Sequence, residues 1–455
     1  MRKGHRYAAL LEAEQRRFSA ANGRSLALFE RAKHSLHNGV PMPWMTQWAS
    51  PHPLFIEEAK GAHVRDVDGH DYIDFCLGDT GALFGHSPAP VVKALAAQAA
   101  GGMSFMLPTE DSIHVGEGLA ARFGLPHWQF ALSATDANRF AIKIARAVTG
   151  RRRVLLFNGC YHGSLDETLA TLENGVMRPG AENMGPGIDP GETSRMVEFN
   201  DIAAVEAALA EGDIACVLCE PALTNVGLVF PQPGFHEALR AATRDHGALL
   251  IIDETHSICA GPGGGVREYG LQPDLITLGK PLAGGFPAAV YGYSAAVGAK
   301  IAAWLDGLDS FVTGIGGTLA GNALAMAAMR ASLEEVMTEA AYDHMTTQAK
   351  RLEAGVAEII AGHGLPWGVA RLGARVEYRW SGGEPANATE ARGGADPVLD
   401  RLFRLFFLNR GIMLTIFYNV ALVSPETSAA DIDRHNAVFA EFAQGIIEGI
   451  MEADG

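Results

Sequence analysis

Short, uniformly apolar segments alternate with helical patterns through the middle of the chain. The apolar segments are QFALS (129–133), RVLLF (153–157), IACVLCE (214–220), ALLIIDE (248–254) and DLITLGK (274–280). Segments that are apolar throughout, rather than alternating, indicate strands covered on both faces, as in a parallel sheet. Between them, segments 201–212 and 234–247 carry apolar residues three and four positions apart and end at glycine. Strands and helices in alternation predict an α/β fold with a mainly parallel sheet.

The two ends of the chain have a different pattern. Segment 55–75 contains an Asp-Gly turn between two alternating stretches, which predicts a hairpin. Beyond residue 331 the chain is mostly helical, with one short strand-like segment, RVEYRW (375–380). The segment 381–396 has a biased composition that predicts a flexible loop.

The length of the chain implies more than one domain. A chain of 455 residues, 48% of them hydrophobic, is too long for one simple core. We therefore expect a large domain that contains the parallel sheet and a small α+β domain built from both chain ends. The expected ranges are 1–80 for the N-terminal segment of the small domain, 81–330 for the large domain and 331–455 for the C-terminal part of the small domain.

Charge and hydropathy exclude several classes of protein. The 36 basic and 52 acidic residues give a formal net charge of −16, which argues against a nucleic-acid or anionic-membrane partner. The N-terminal segment predicts a charged amphipathic helix rather than a signal sequence, and no apolar run is long enough to span a membrane. The sparse cysteines, with Cys216 and Cys219 inside an apolar run, predict packed thiols and no metal site. We expect a cytoplasmic protein.

Polar residues end four of the apolar segments. They are Ser133, Glu220, Asp253 and Lys280. In a doubly wound sheet, ligands bind at the carboxyl ends of the strands. Any one of these residues alone could be structural, but four at one edge of one sheet predict a binding site.

The segment after QFALS predicts a helix whose first turn contains Ser133, Thr135 and Asp136. Free backbone N–H groups and the helix dipole would hold a phosphate there. Simple capping of the helix by these side chains is the alternative.

Asp253 and Lys280 form the second part of this predicted site. A buried carboxylate needs a positive or hydrogen-bonding partner, and a lysine removed from water is a candidate nucleophile. A structural ion pair is the alternative. A Schiff-base lysine, an acid for a pyridinium nitrogen and a helix N-terminus for a phosphate are together what pyridoxal phosphate (PLP) requires.

Six sequence blocks, in order, resemble those of the class III, fold type I PLP-dependent aminotransferases. They are LSATDAN, YHG, EPALTNVG, DET, the GK that contains Lys280, and GTLAGNALAMAA. The resemblance runs from about residue 35 to the C-terminus. It is strongest to the branch that contains glutamate-1-semialdehyde aminomutase and the β-amino-acid and amine transaminases, and it implies a homodimer with shared active sites.

The resemblance also implies a role for single residues. The implied cofactor-binding residues are Ser133, Ala134 and Thr135 at the phosphate, Tyr161 against one face of the ring, Thr255 under the ring, Glu220 and Asn225 near the ring and its phenolic oxygen, Asp253 at the ring nitrogen, Lys280 as the Schiff-base lysine, and Thr318 at the phosphate of the other subunit.

The chain departs from the family where substrate carboxylates are bound. Met45, next to Trp44, stands where aminomutase-like members have an arginine, and Phe417 and Tyr418 stand where a β-amino-acid transaminase has one. An apolar pocket suits hydrophobic amines or ketones rather than carboxylates. Alternatively these residues only pack, and Arg267 or Arg375 binds the carboxylate. The candidate substrate-pocket residues are Trp44, Met45 and His162.

These features predict an aminotransferase that moves an amino group between a small-molecule amine and a carbonyl compound by a ping-pong mechanism. Lys280 would be the catalytic residue, both as the site of cofactor attachment and as the base that moves the substrate proton. The alternative with the same cofactor is an aminomutase or racemase that acts within one molecule, since the fold does not separate these reactions. A non-catalytic or nucleotide-binding α/β protein is a third possibility, although no GxGxxG follows an early strand.

Overall fold

The computed structural model describes residues 7–308 and 314–454. Their contacts divide the chain into two compact units. We call Pro88–Tyr342 with Glu384–Gly393 the central unit, and Met1–Ser87 with Asp343–Gly383 and Gly394–Gly455 the terminal unit. The segment Glu384–Gly393 thus belongs to the central unit by its contacts, although it lies in the range predicted for the small domain.

The described residues form four sheets. Their strands, in chain order, are β1 (Ile56–Lys60), β2 (His63–Asp66), β3 (Asp71–Asp74), β4 (His127–Ala131), β5 (Arg153–Phe157), β6 (Ala170–Glu173), β7 (Val176–Pro179), β8 (Ser194–Val197), β9 (Ile214–Cys219), β10 (Leu249–Asp253), β11 (Leu275–Leu278), β12 (Ala289–Tyr293), β13 (Gly368–Leu372), β14 (Arg375–Arg379), β15 (Ile412–Met413) and β16 (Val420–Leu422).

Helices connect most of these strands. In chain order they are α1 (Ala8–Ala21), α2 (Gly23–Ala32), α3 (Ala89–Gly101), α4 (Glu110–Phe123), α5 (Ala134–Thr149), α6 (Pro190–Thr193), α7 (Ile202–Ala210), α8 (Phe235–Asp245), α9 (Gly264–Glu268), α10 (Ala295–Asp306), α11 (Ala323–Ala331), α12 (Glu339–Gly362), α13 (Ala388–Gly393), α14 (Pro397–Leu408) and α15 (Ala429–Asp454). No described helix is both long and apolar enough to cross a membrane.

The central unit is built on a seven-stranded sheet. The strand order is β4-β12-β11-β10-β9-β5-β8, and every neighbouring pair is parallel except the two pairs that involve β12. The five strands predicted from apolar runs are β4, β5, β9, β10 and β11, so the mainly parallel α/β fold is confirmed. The apolar pattern of α5 is also confirmed, since Phe140, Ala141 and Ile144 pack in the core against the sheet.

Sequence reasoning missed β12. Its sequence AVYGY has a glycine in the middle, and glycine is unusual in a strand interior. The structure gives the reason, because a Cβ on Gly292 would lie 2.8 Å from the ring of Trp128 on the neighbouring strand. Gly292 therefore allows the indole to lie flat against the sheet.

The terminal unit has two small sheets, β1-β2-β3-β15 and β13-β14-β16. The predicted hairpin is confirmed as the antiparallel pair β2 and β3, with the Asp68-Gly69 turn between them. Its core contains a cluster of aromatic rings from α14 and α15, with Phe403, Phe407 and Phe439 all fully buried.

The prediction of a flexible loop at 381–396 was wrong, because this segment contains α13. Asn387 Oδ1 accepts a hydrogen bond from the backbone N–H of Glu390 at 2.9 Å, and the Glu390 carboxylate accepts one from the N–H of Ala386 at 2.8 Å. This pair resembles a capping box, except that the N–H bound by the glutamate belongs to Ala386, the residue before Asn387. The prediction of a loop rested on the composition of this segment. The order of its residues, Asn-x-x-Glu, is a signal for the start of a helix.

Candidate active site

Three neighbouring parallel strands bring polar residues to one edge of the central sheet. Glu220 follows β9, Asp253 ends β10, and Lys280 lies two residues after β11. The register aligns Asp253 with Thr277 of β11, and the N–H of Glu254 donates to the carbonyl of Thr277 at 2.8 Å. Ser133 lies at the same edge, since β4 runs in the direction of β11. The sequence prediction that all four meet at one edge is confirmed.

The N-terminus of α5 lies beside this edge. Ser133 caps the helix, because its Oγ accepts a hydrogen bond from the backbone N–H of Asp136 at 3.2 Å. A Cβ added to Gly279 would lie 3.1 Å from the backbone nitrogen of Ala134. Glycine therefore lets the residue before Lys280 approach the first turn of α5 without a tight contact.

The YHG segment packs against the same helix turn. A Cβ on Gly163 would lie 2.2 Å from Thr135 Oγ1, and that oxygen also accepts a hydrogen bond from the N–H of Ser164 at 3.2 Å. Thr135 thus joins the α5 N-terminus to the loop after β5. Tyr161, at the start of the YHG segment, is 47% exposed.

Asp253 is buried and fully engaged by hydrogen bonds. Its Oδ2 accepts from Asn138 Nδ2 at 2.8 Å and from His162 Nδ1 at 2.9 Å, and its Oδ1 accepts from the N–H of Thr255 at 3.0 Å. Burial by itself would raise the pKa of this carboxyl, but the hydrogen bond and charge of His162 outweigh it and lower the pKa to about 2. Asp253 is therefore ionised at neutral pH.

His162 supports Asp253 rather than lining an open pocket. Its side chain is buried, and its Nδ1 contacts the carboxylate. Burial opposes the charged form of the imidazole, but the adjacent Cys160 and the Asp253 carboxylate raise the pKa of His162 well above its usual value. The substrate-pocket role expected for His162 is therefore corrected. A buried histidine held by a carboxylate positions that carboxylate.

Asn138 is a site residue that sequence reasoning missed. Its Nδ2 donates to Asp253 and to the carbonyl of His162, and its Oδ1 accepts from Thr277 Oγ1 at 2.6 Å. It therefore ties α5, β10 and β11 together below the strand ends. The signal was present in the sequence, since Asn138 ends the LSATDAN block.

The backbone at Lys280 is strained. Its φ is +46°, in the left-handed region that non-glycine side chains rarely adopt. Lys280 begins a short 3₁₀ turn, Lys280–Ala283, which ends at Gly284 with φ +60°. Strain of this kind persists where the surrounding structure fixes it, and it is concentrated at functional sites.

Glu220 is the third ionisable group of this edge. Its Oε1 accepts from Thr224 Oγ1 at 2.5 Å and from Asn225 Nδ2 at 2.8 Å, and its Oε2 accepts from the N–H of Thr224 at 3.1 Å. Burial raises the pKa of Glu220. Thr224 Oγ1 lies 2.8 Å from Nδ1 of His256, whose Nε2 is hydrogen-bonded to Nζ of Lys280. Thr224 and His256 were not predicted as site residues.

A buried glutamate anchors the loop that carries His256. Glu254 Oε2 accepts from Ser257 Oγ at 2.5 Å and from the N–H of Gly265 at 3.0 Å, and its Oε1 accepts from the N–H of Val266 at 2.5 Å. Burial raises the pKa of Glu254 to about 7. The loop between β10 and α9 is therefore held from below by one side chain.

The terminal unit contains the other candidate substrate residues. The rings of Trp44 and Phe417 lie 5.7 Å apart, and each is 42% exposed. Met45 lies beside Trp44 in the 3₁₀ turn Pro43–Gln47 and is half-buried. The guanidinium of Arg375 lies 5.5 Å from the ring centre of Tyr418, and Arg375 is 1% exposed. Two segments far apart in sequence thus form one aromatic cluster.

Two other predicted residues lie on the surface of the central unit. Arg267 forms an exposed ion pair with Glu339 at 3.3 Å, and an arginine in such a pair is a poor candidate for binding a substrate carboxylate. Thr318 lies in the exposed loop that precedes α11. Leu319, the next residue, is 53% exposed.

The sequence profile of the family named aminotransferase class-III matches residues 44–374. The chain belongs to the class III aminotransferases. The resemblance drawn from the sequence blocks is thereby confirmed, and so is its cofactor, since PLP is the cofactor of this family.

Solved and curated class III proteins resemble the chain over nearly its whole length. A glutamate-1-semialdehyde aminomutase from Pseudomonas aeruginosa PAO1 is 47% identical, with a TM-score of 0.95 over 97% of this chain and 98% of that one, and a lysine-to-alanine variant of it was crystallised with PMP. A glutamate-1-semialdehyde 2,1-aminomutase from Persephonella marina is 35% identical over 90% of this chain and 96% of its own length.

A third protein similar to this one is a transaminase. The β-phenylalanine aminotransferase from Variovorax paradoxus is 27% identical, with a TM-score of 0.85 over 96% of this chain and 97% of that one. These likenesses confirm the fold type I architecture.

Proposed function

We propose that this protein moves an amino group between neighbouring carbon atoms of a single substrate, as an aminomutase does. The two relatives with the names quoted above, at 47% and 35% identity, are both glutamate-1-semialdehyde aminomutases. They favour the intramolecular reaction, which the sequence left as an alternative, over the ping-pong transamination that its motifs favoured. The observation that carries the chemistry is the strained Lys280 at the same sheet edge as ionised Asp253.

The residues at this edge fit PLP. Asp253 is a buried, ionised acceptor for a ring N–H, and Lys280 offers a primary amine. Thr255 Oγ1, two residues from Asp253, is buried without a hydrogen-bond partner, which a bound polar ring would relieve. The capped N-terminus of α5 is a site for an anion.

These residues would therefore hold the cofactor at both ends. Ser133, Ala134 and Thr135 would bind the phosphate, and Asp253 would bind the ring nitrogen. Tyr161 would stack on the ring, Thr255 would lie under it, and Glu220 and Asn225 would lie near its oxygen. When bound, PLP supplies an electron sink for the charge left on a substrate carbon that loses a proton.

Lys280 would do the proton work. Its Nζ would take the proton from the substrate carbon that bears the nitrogen, and would later give a proton to the neighbouring carbon as that carbon receives the amino group. The carbonyl oxygen would leave the neighbouring carbon as water, and water would supply the oxygen that replaces nitrogen on the first carbon. The ionised Asp253, held by Asn138 and His162, would keep the ring nitrogen positively charged while this happens. The substrate class that fits is an amino aldehyde or amino ketone with the two groups on adjacent carbons.

The test is turnover without a second substrate. The PLP-loaded full chain is given glutamate-1-semialdehyde and no amino acceptor or donor. An aminomutase accumulates the isomeric amino ketone over many turnovers. A ping-pong transaminase stops at about one equivalent per active site, a result that would contradict the proposal. Chiral chromatography identifies a racemase, because its product has the constitution of the substrate.

Transamination of a hydrophobic amine or β-amino acid is the second candidate function. The observation that favours it is the exposed Trp44–Phe417 pair beside Met45, at positions where carboxylate-binding arginines were expected. A panel of amines, α-amino acids and β-amino acids added singly to the yellow enzyme separates the candidates. Conversion to the colourless PMP form by aromatic amines alone supports transamination.

We also propose that the protein is a homodimer. Neighbouring side chains in the central unit expose large apolar surfaces, and these are Met103, Phe105, Met106 and Leu107, exposed by 58%, 45%, 82% and 72%. The carbonyl of Met103 accepts a hydrogen bond from the N–H of Leu324, near the loop that carries Thr318. An apolar patch of this kind marks a protein interface. In a dimer, Thr318 of one copy would lie at the cofactor phosphate bound by the other copy. Sedimentation at micromolar concentration should give twice the chain mass.

A further inference from the structure

A continuous hydrogen-bonded chain leads from a buried carboxylate to the amine of Lys280. It runs from Glu220 through the hydroxyl of Thr224 to the imidazole of His256, and from there to Nζ of Lys280. Glu220, Thr224 and His256 are 3%, 0% and 5% exposed. This series of hydrogen bonds therefore lies in the protein interior, where bulk water does not compete with them.

Glu220, the acceptor at one end of this series, sets the direction of every hydrogen bond in it. Both carboxylate oxygens of Glu220 accept hydrogen bonds from nitrogen donors, Oε1 from Asn225 Nδ2 at 2.8 Å and Oε2 from the N–H of Thr224 at 3.1 Å, and Thr224 Oγ1 donates to Oε1 at 2.5 Å. The same hydroxyl has one proton, so it accepts at its other two contacts, from Asn225 Nδ2 at 3.3 Å and from Nδ1 of His256 at 2.8 Å. A neutral imidazole with its proton on Nδ1 has a lone pair on Nε2. That lone pair faces the Lys280 amine.

We propose that His256 is a positioning residue that accepts the proton of Lys280, with its tautomer fixed by Glu220 through Thr224. In the step we infer, an N–H bond of the Lys280 ammonium breaks and an N–H bond forms on Nε2 of His256. The lysine becomes a neutral amine with a free electron pair, and the histidine becomes an imidazolium. The proton returns when Lys280 is protonated again, so the step needs no other reactant.

The charges around His256 suit this role. Its Nδ1 lies 4.0 Å from Glu220 Oε1, close enough for the carboxylate to stabilise an imidazolium. The other charged groups near Glu220, His162 and Asp253, are bonded to each other instead. Glu254 faces the loop backbone beyond His256 and not its ring. Asp253 and Glu220 thus serve different partners, the first at the ring nitrogen of the proposed cofactor and the second at the lysine.

Substitution of His256 by glutamine separates hydrogen bonding at this position from proton uptake. Glutamine offers an amide oxygen to a lysine but cannot take up its proton. The His256→Gln variant therefore keeps a hydrogen bond to Lys280 and removes only the proton acceptor. His246, a half-buried histidine paired with Glu206 at 3.0 Å, provides the matched control His246→Gln.

The decisive measurement is the rate at which the full chain, stripped of cofactor, captures added PLP covalently. This reaction needs the neutral amine of Lys280 and no turnover. At neutral pH His256→Gln should capture PLP about tenfold more slowly than the wild type, and the difference should vanish at high pH, where solvent removes the proton. The control should match the wild type at every pH. Equal rates for His256→Gln and wild type across the pH range would overturn the proposal.

A second pair of variants tests the hydrogen bonds between Glu220 and His256 without changing the histidine. Thr224→Val removes the hydroxyl that fixes the tautomer and should slow capture in the same direction, and Thr224→Ser should restore it. If His256→Gln does not fold, this pair decides the matter, because a serine that fails to restore the rate refutes the relay. The inference rests on the proposed chemistry of Lys280, but capture is measured without substrate. The relay can therefore stand even if glutamate-1-semialdehyde is not isomerised.

Discussion

The strand-end site of the central unit and the aromatic cluster of the terminal unit differ in the chemistry of their side chains. At the strand ends, buried ionisable groups are held by short hydrogen bonds, as Asp253 is by Asn138 and His162. In the terminal unit, Trp44 and Phe417 meet through half-exposed rings without charge. Under the proposed function, the first arrangement would set the protonation states that the reaction needs. The second would select the substrate by size and polarity. Substitutions in the two regions should therefore fail in different ways.

The largest effect is expected from Lys280→Ala. Removing the amine takes away both cofactor attachment and the base that moves the proton, so turnover should fall about 10³-fold or more. The fold should remain, since φ +46° at this position is no easier for lysine than for alanine. The measurement is single-turnover kinetics with circular dichroism as the check on folding. Lys300→Ala, on the exposed face of α10, is the matched control, and substantial activity in Lys280→Ala would remove the assignment.

Asp253→Asn should have the next largest effect. An amide cannot hold a positively charged ring nitrogen, so kcat should fall about 10²-fold while KM changes little. A loss confined to KM would place Asp253 outside the reacting site. His162→Phe removes one of the hydrogen-bond donors to Asp253. Comparing its kcat and KM with those of the wild type shows whether the histidine acts through the carboxylate.

The same substitution predicts a change in acid stability. The pKa of Asp253 in the folded protein is about 2, below the ordinary value of 3.8. Its contribution is therefore present above pH 3.8 and is lost as the pH falls from 3.8 to 2, by roughly 2 kcal/mol in the wild type. In Asp253→Asn, the free energy of unfolding should not show this part of the decrease between pH 3.8 and pH 2. Urea unfolding of both proteins between pH 2 and pH 5 measures the difference, and parallel curves would contradict it.

The strand-end residues could be predicted because a parallel sheet brings chain-distant residues to one edge by a simple rule. Asp253 and Lys280 each end an apolar run, so their meeting follows from strand direction alone. His256 could not be placed in this way. It lies in a loop whose path depends on the buried Glu254, and no local pattern shows which way such a side chain points.

Other misses have similar physical causes. The helix α13 was overlooked because composition was weighed above the order of Asn387 and Glu390. His162 was expected in a substrate pocket as part of the YHG block, but it is 1% exposed while Tyr161 is 47% exposed, because adjacent residues in a loop point in different directions. The meeting of Trp44 with Phe417 joins segments from opposite ends of the chain, which no spacing rule predicts.

Met45→Arg tests whether the terminal cluster selects the substrate. The arginine would place a charge beside the Trp44–Phe417 pair, and a charge-assisted hydrogen bond to a carboxylate is worth about 1.5–3 kcal/mol when well formed. At this half-buried position we expect about a tenfold fall in KM for a carboxylate-bearing substrate and a rise for a hydrophobic amine. Steady-state KM values for both substrates measure this, with Met184→Arg, at a 93% exposed position, as the control.

Phe417→Ala should have the smallest effect and the most selective one. The tilted Trp44–Phe417 pair, with ring centres 5.7 Å apart, is worth about 0.5–1.5 kcal/mol beyond the area it buries. If the cluster contacts a hydrophobic substrate, its loss should raise KM for an aromatic amine about fivefold and leave kcat unchanged, since Phe417 holds no proton and no charge. Trp304→Ala removes a ring of similar exposure, 40%, on α10, and should change neither constant. A fall in kcat in Phe417→Ala would mean that the cluster takes part in the reaction and not only in substrate choice, and the contrast between the two regions would then be lost.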